Sequence, residues 1–156
     1  MMGGGQQQQQ LQQLSQELEE IDQEIEVKET EIEEFRDEKS GVDDAIEAID
    51  TLDDGDTVQV PLGGGAYVRA EVADMDEIIV GLGGGYAAEQ AGDDAVDALE
   101  AKKDSLDDRI SEVQDEINEL EEESAEIEQR AQQMQQQMQQ QQMQQMQEMQ
   151  GEGDGE

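Results

Sequence analysis

Carboxylates are the abundant reactive groups in this sequence, with 44 Asp and Glu against 8 Lys and Arg and neither His nor Cys. Imidazole bases, thiol nucleophiles and the usual zinc sites are therefore excluded. The runs "EEID", "DEKSGVDD" and "EEESAE" could in principle pair carboxylates for acid–base work. On the outer face of a long helix, however, nothing around them would shift a pKa, and they read as solvated faces. Ser124 falls in an apolar helix seam, where it tunes register rather than attacking a substrate.

Two glycine triplets, 63–65 and 83–85, invite a phosphate-cradling reading that their surroundings reject. No Lys follows in the P-loop pattern, and neither triplet completes GxGxxG ahead of a helix. The stretch "DTLDDGDTVQVP" (50–61) resembles a calcium loop with Gly55 at its sixth place. Its third ligand position is Leu52 and its twelfth is Pro61, where a bidentate Glu is required, so it reads as a solvated helix end with Gly55 as terminator. No catalytic residue, metal site or cofactor is expected, and the chain is not expected to be an enzyme.

One stretch has chemistry of another kind. "RAQQMQQQMQQQQMQQMQEMQ" (130–150) is almost uncharged in a chain of 156 residues with a formal net charge of -36. Residues 1–16 and 131–147 contain no charged side chain at all. Thioether chains are unbranched and polarisable, and they adapt to many apolar shapes. Such chemistry is adhesive, not catalytic.

Composition restricts what can present that surface. Phe35, Tyr67 and Tyr86 are the only aromatics, and hydrophobic residues make up 33% of the chain, too little for a large single-copy core. The fold must be elongated, oligomeric or both. Phosphate binding needs clustered Lys and Arg, so neither nucleic acid nor an acidic membrane surface is an expected partner. The N-terminus "MMGGGQQQQQ" carries no signal-peptide pattern and no apolar run suffices to span a bilayer, so a cytoplasmic location is expected. A chain this acidic repels itself in dilute buffer, whereas molar salt shortens the Debye length to about 3 Å. A halophilic source is predicted.

Apolar residues recur at steps of three and four at Leu11, Leu14, Leu18, Ile21, Ile25, Ile32, Phe35, Val42, Ile46 and Ile49. Lys28 and Lys39 fill the two gaps, where a long stem can cover a seam while the ammonium reaches water. The pattern returns from Val96 through Leu99, Leu106, Ile110, Val113, Ile117, Leu120, Ile127, Ala131 and Met134 to Met138, interrupted by Lys103 and Ser124. These are coiled-coil heptads on helices about 60 Å long. Asp93, Asp94 and Asp97 favour a helix N-terminus at the start of the second.

The economical arrangement is one antiparallel coiled coil in which facing positions add to 145, so that Leu11 meets Met134, Leu18 meets Ile127, Ile25 meets Leu120 and Ile49 meets Val96. Flanking positions oppose Glu38 with Arg109, Arg36 with Asp107 and Glu17 with Arg130. Glu31 faces Glu116 and Glu24 faces Glu123, which salt must screen. Gly41, on the outer face, costs roughly 1 kcal/mol of helix propensity and marks a place for a kink. Both chain ends then meet at one tip.

Between the helices the period drops to two. "TVQVPL" and "AYVRAEV" flank one glycine triplet, "EIIVGL" and "YAAEQ" flank the other, and each set reads as a β-hairpin. Pro61 marks an edge or a bulge. Hairpins this small are marginal alone, and Val58, Val60, Leu62, Tyr67, Val68, Ile78, Ile79, Val80, Leu82 and Tyr86 are the candidate contacts with other subunits. The organisation is then a flexible Gln/Gly-rich segment 1–10, a coiled-coil helix 11–53, a hairpin module 54–92, a second helix 93–142 and a flexible tail 143–156. The fold class is mainly α with small β, a long antiparallel coiled-coil hairpin whose hairpin module assembles into an oligomeric β-barrel platform.

Two heptad helices around hairpins carrying "VPLGGGAYVRAEV" and "VGLGGGYAAEQ" resemble the alpha subunit of archaeal prefoldin over nearly the whole chain. Two hairpins indicate the alpha class, since beta-class subunits have one. The resemblance implies a hexamer of two alpha and four beta subunits with coiled coils hanging from a platform of β-barrels. It further implies ATP-independent binding of unfolded client proteins at the coiled-coil tips and their delivery to a group II chaperonin. The Gln-rich ends do not carry over from the family.

The neutral tip then has a purpose. Leu11, Leu14, Met134, Met138, Met143, Met146 and Met149 are the candidate client contacts, on a surface whose lack of charge does not repel acidic clients. Two alternatives stand beside this reading. The Gln/Met repeats could form a disordered low-complexity tail, and the chain as a whole could be a structural coiled-coil scaffold tethering one folded partner.

Overall fold

A computed structural model of the chain describes residues 2–83 and 85–153, with side-chain detail for 5–81, 83 and 85–151. Its elements run α1 (Met2–Thr51), β1 (Thr57–Gly63), β2 (Ala66–Glu71), β3 (Ile78–Gly83), β4 (Tyr86–Gln90) and α2 (Gly92–Gly153). Contacts divide the chain into two compact units, residues 1–31 with 113–156 and residues 32–112.

In the first unit the segments of α1 and α2 bury Ile21, Val113, Ile117 and Ile127. Leu11, Leu14, Leu18, Ile25, Leu120, Ala131, Met134 and Met138 are half-buried along the same seam. Each side chain removed from water contributes about 1.5–3 kcal/mol, and it is this burial that holds a polar, highly charged pair of helices together. Lys28 donates to Glu116 across the seam at 2.6 Å, two positions that add to 144 and so agree with an antiparallel register near 145.

Helix extends over residues 2–10 and 143–153, where the heptads alone predict flexible segments. Met1 and residues 154–156 of those segments lie outside the described residues. Gln and Met are good helix formers, so the backbone stays helical through the Gln-rich stretches after the apolar period lapses; propensity gives no account of the helix at Gly3–Gly5. Carried to Met2, the register ends opposite residue 143, and the last turns of α2 therefore run past the described start of α1.

In the second unit the helical segments bury Ile32, Val42, Ala95 and Leu106, and the hairpins add Val80. The helix of α1 is continuous through the exposed Gly41, where a kink was open to the sequence. It ends at Thr51, four residues before Gly55, which takes a left-handed φ of 85° in the turn that leads to β1 and is not the helix terminator. The carboxylates of the calcium-like stretch serve the backbone there. Asp56 accepts from the Asp53 N–H at 2.8 Å, and Asp54 accepts from the Met75 N–H at 2.6 Å, tying the turn to the segment between the hairpins.

Strands β1 and β2 pair antiparallel, with Val60 opposite Val68 and Pro61 opposite Tyr67, and the register shifts between Pro61 and Gly63. Pro61 thus sits beside a bulge, a place where proline is tolerated in a strand. Gly64 (φ 62°) and Gly65 (φ 81°) form the two-residue turn between Gly63 and Ala66, and positive φ at both centres matches a type I′ hairpin turn. Strands β3 and β4 repeat the plan with Val80 opposite Ala88 and a shift between Gly81 and Gly83. The two hairpins form separate two-stranded sheets, with no closed barrel among the described residues of this single chain.

Candidate functional site

Two surfaces carry the residues singled out by the sequence. The first lies on the first unit. Gln10, Gln13, Leu14 and Glu17 of α1 face Arg130, Gln133, Met134 and Gln137 of α2 across a groove of about 390 Å³. Arg130 and Glu17 border the same groove, as their facing positions predict. Among the candidate client contacts, Leu11, Leu14, Met134 and Met138 lie half-buried in or beside the seam. Met143, Met146 and Met149 are 70%, 72% and 80% exposed.

The helical period explains that division. Met134 and Met138 keep the seam spacing, whereas 143, 146 and 149 step by three and rotate away from it. Gln136, Gln139, Gln140 and Gln142 line a second shallow groove with Met143 and Met146. The glutamines keep this apolar stripe wet without giving it charge.

The second surface is formed by the hairpins. Val60, Leu62, Tyr67, Val68, Ile79 and Tyr86 are exposed, Val58 and Ile78 are half-buried, and Val80 is buried. Leu82 lies in β3 with its side chain outside the described residues. Val80, Gly81 and Gly83 border one cleft with Ala98, Lys102, Ser105, Leu106 and Arg109 of α2. Ala95 of α2 is fully buried, and Ala98 and Ser105 border the cleft, small residues that heptad counting passes over.

Ion pairs beside the seams differ from those read off facing positions. Asp107 pairs with Lys39 at 2.5 Å instead of Arg36, and Glu38 lies 3.5 Å from Lys102 instead of Arg109. The Arg109 guanidinium sits 5.8 Å from the centroid of the Phe35 ring, a cation–π arrangement. Lys103 meets Asp43 at 2.6 Å. Lysines at seam positions therefore send their ammonium groups to carboxylates of the facing helix as well as to water.

Lys28 also resolves the expected repulsion between Glu31 and Glu116. Its hydrogen bond to Glu116, reinforced by the charges of Glu24 and Glu31, raises its pKa above the ordinary lysine value. Lys103 is raised in the same way, chiefly by its hydrogen bond to Asp43. Each lysine gathers several carboxylates around one cation. The signal was present in the sequence as Lys28, Lys39 and Lys103 at seam positions that, Ser124 apart, are otherwise apolar.

Among the described residues no cluster of three or more His, Cys, Asp or Glu is arranged to hold a metal ion, and no helix is long and apolar enough to cross a membrane. The geometry shows two surfaces, one rich in Gln and Met along the ends of α1 and α2, the other the largely exposed faces of the two hairpins. A profile of the prefoldin subunit family matches residues 8–143, most of the chain.

The chain belongs to the prefoldin family.

Similar relatives within that family are alpha subunits from halophilic archaea. The chain is 75% identical to the prefoldin subunit alpha of Halorubrum lacusprofundi over 104 residues, 67% of each chain. It is 67% identical to that of Haloquadratum walsbyi over the same length and share. With the Halobacterium salinarum subunit it shares 68% identity over 100 residues, 64% of this chain and 65% of the relative. In fold it is similar to filamentous PFD from Methanocaldococcus jannaschii, seen by cryo-EM, with a TM-score of 0.50 and 24% identity over 76% of this chain and 95% of that one. The prefoldin architecture predicted from the hairpin motifs is thus the one found, and membership carries a chaperone-type role in a family of chaperones rather than enzymes.

Proposed function

We propose that this chain is the alpha-class subunit of an ATP-independent holding chaperone in the cytoplasm of a halophilic archaeon. Two copies join four beta-class subunits, the hairpins of neighbouring chains close β-barrels, and the ends of the coiled coils hold unfolded proteins for transfer to a group II chaperonin. The observation that carries the client-holding reading is the exposure of Met143, Met146 and Met149 on a stretch, residues 131–150, whose one charged side chain is Glu148, in a chain with net charge -36. A body this acidic repels acidic clients, so contact is favoured where charge is absent.

The assembly reading rests on the hairpins, which leave Val60, Leu62, Tyr67 and Ile79 in water on sheets of only two strands. Sheets of that size gain stability when other strands or helices cover them. The test is light scattering of a denatured client diluted into molar KCl, with this chain alone and then with beta-class subunits. Suppression without ATP, strongest for the mixed oligomer, is expected. A well-formed mixed oligomer that leaves aggregation unchanged would overturn the proposal and return the scaffold reading.

A further inference from the structure

The apolar character of the last turns of α2 rests on three sulfur atoms. Residues 139–153 contain no apolar side chain other than Met143, Met146 and Met149, whose neighbours in "MQQMQEMQ" are Gln and one Glu. All three thioethers stand out in solvent, while Met75, Met134 and Met138 are half-buried. The chain has no Cys, so no thiol competes for an oxidant.

Oxidation at sulfur converts a flexible apolar chain into a polar, chiral sulfoxide. Among glutamines that change erases the stripe, since a sulfoxide is a strong hydrogen-bond acceptor much like the amide carbonyls around it. The three residues lie off the seam that buries Ile21, Ile117 and Ile127, so the helix pairing does not depend on them.

We propose that Met143, Met146 and Met149 form a peroxide-responsive modification site that switches off client holding while the subunit stays folded. The inference rests on the client-holding reading above. In the chemical step the sulfur lone pair attacks one oxygen of hydrogen peroxide and an S–O bond forms as the O–O bond breaks. The second oxygen leaves as water after taking up the proton, so the sulfur is oxidised by two electrons and the peroxide is reduced. Methionine sulfoxide reductases, one for each epimer, reverse the change at the expense of a thiol reductant.

The experiment exposes the assembled oligomer to hydrogen peroxide in molar KCl. Sulfoxide at each methionine is mapped by peptide mass spectrometry, and client aggregation is followed by light scattering. Susceptibility follows exposure, so the three residues should oxidise about tenfold faster than Met134 and Met138. Suppression should fall about tenfold as they convert, with helix content unchanged, and return after reductase treatment. In a variant carrying Met143→Leu, Met146→Leu and Met149→Leu, peroxide should produce no further change from whatever suppression that variant shows untreated. Undiminished suppression by an oligomer fully oxidised at all three, or equal loss in the leucine variant, would overturn the switch. An untreated oligomer that never suppresses aggregation would instead overturn the client-holding reading and the switch with it.

Discussion

Replacing Met143, Met146 and Met149 together with Gln should weaken the grip on a denatured client by about a hundredfold. Fully burying a Met side chain contributes about 1.5–3 kcal/mol relative to leaving it in water. These three are 70%, 72% and 80% exposed, so most of that contribution is available to a client. If a bound segment covers roughly half of each side chain, the gain is about 1 kcal/mol per residue and about 3 kcal/mol for the stripe. At 1.4 kcal/mol per decade, that is about a hundredfold in Kd. The fold should be spared, because Gln and Met have similar helix propensities and exposed substitutions usually fall within about 0.5 kcal/mol. Fluorescence anisotropy of a labelled, denatured client against the assembled oligomer measures the effect, with circular dichroism confirming equal helix content. A Kd within about threefold of the parent, on an intact helix, would refute the reasoning, since clients would then bind through other contacts.

Other expectations concern the scaffold. Cysteines placed at Leu18 and Ile127 should crosslink readily within one chain, because the register observed at Lys28 and Glu116 puts those positions across the seam; crosslinks only between chains would contradict it. Gly41→Ala should stabilise the protein by about 1 kcal/mol in thermal melts, because the exposed helical backbone there has open space around the added Cβ. An unchanged or lower midpoint would point to strain that the helix does not display. Melting temperature should rise as KCl approaches molar concentration, since screening relieves the repulsion of a -36 chain more than it weakens its few cross-helix pairs. A flat or falling dependence would remove the halophilic reading.

The heptads announced both helices and their seam because buried apolar positions must repeat at the helical period. Ile21, Ile32, Val42, Leu106, Val113, Ile117 and Ile127 all lie in the predicted stripes and are all buried. The glycine triplets announced the hairpins for an equally local reason, since turns with positive φ at successive residues favour Gly. Helix ends were less legible. Periodicity fades in residues 2–10 and 143–153, while the backbone stays helical, through glutamines and methionines of good propensity and also through Gly3–Gly5.

Flexible side chains were harder still. Lys39 reaches Asp107, and Lys102 reaches Glu38, because a long stem can select among several carboxylates within a turn of its facing position. Ala95, Ala98 and Ser105 are small residues that heptad counting passes over, so only the burial of Ala95 and the cleft that Ala98 and Ser105 share with β3 gave them meaning. The candidate client surface could be read because it inverts the chain's dominant property. A charge-free run within so acidic a sequence is conspicuous from the residue types alone.

The central claim is that clients are held at the nearly uncharged, Gln- and Met-rich end of the coiled coil. A photo-crosslinking residue introduced at Gln142 or Gln147, compared with one at the exposed Glu121, tests it most directly in the assembled oligomer with a denatured client in molar KCl. Adducts concentrated at positions 142 and 147, with little at 121, are predicted. Adducts at 121 as abundant as those at the end, or none at 142 and 147 while aggregation is suppressed, would contradict the account.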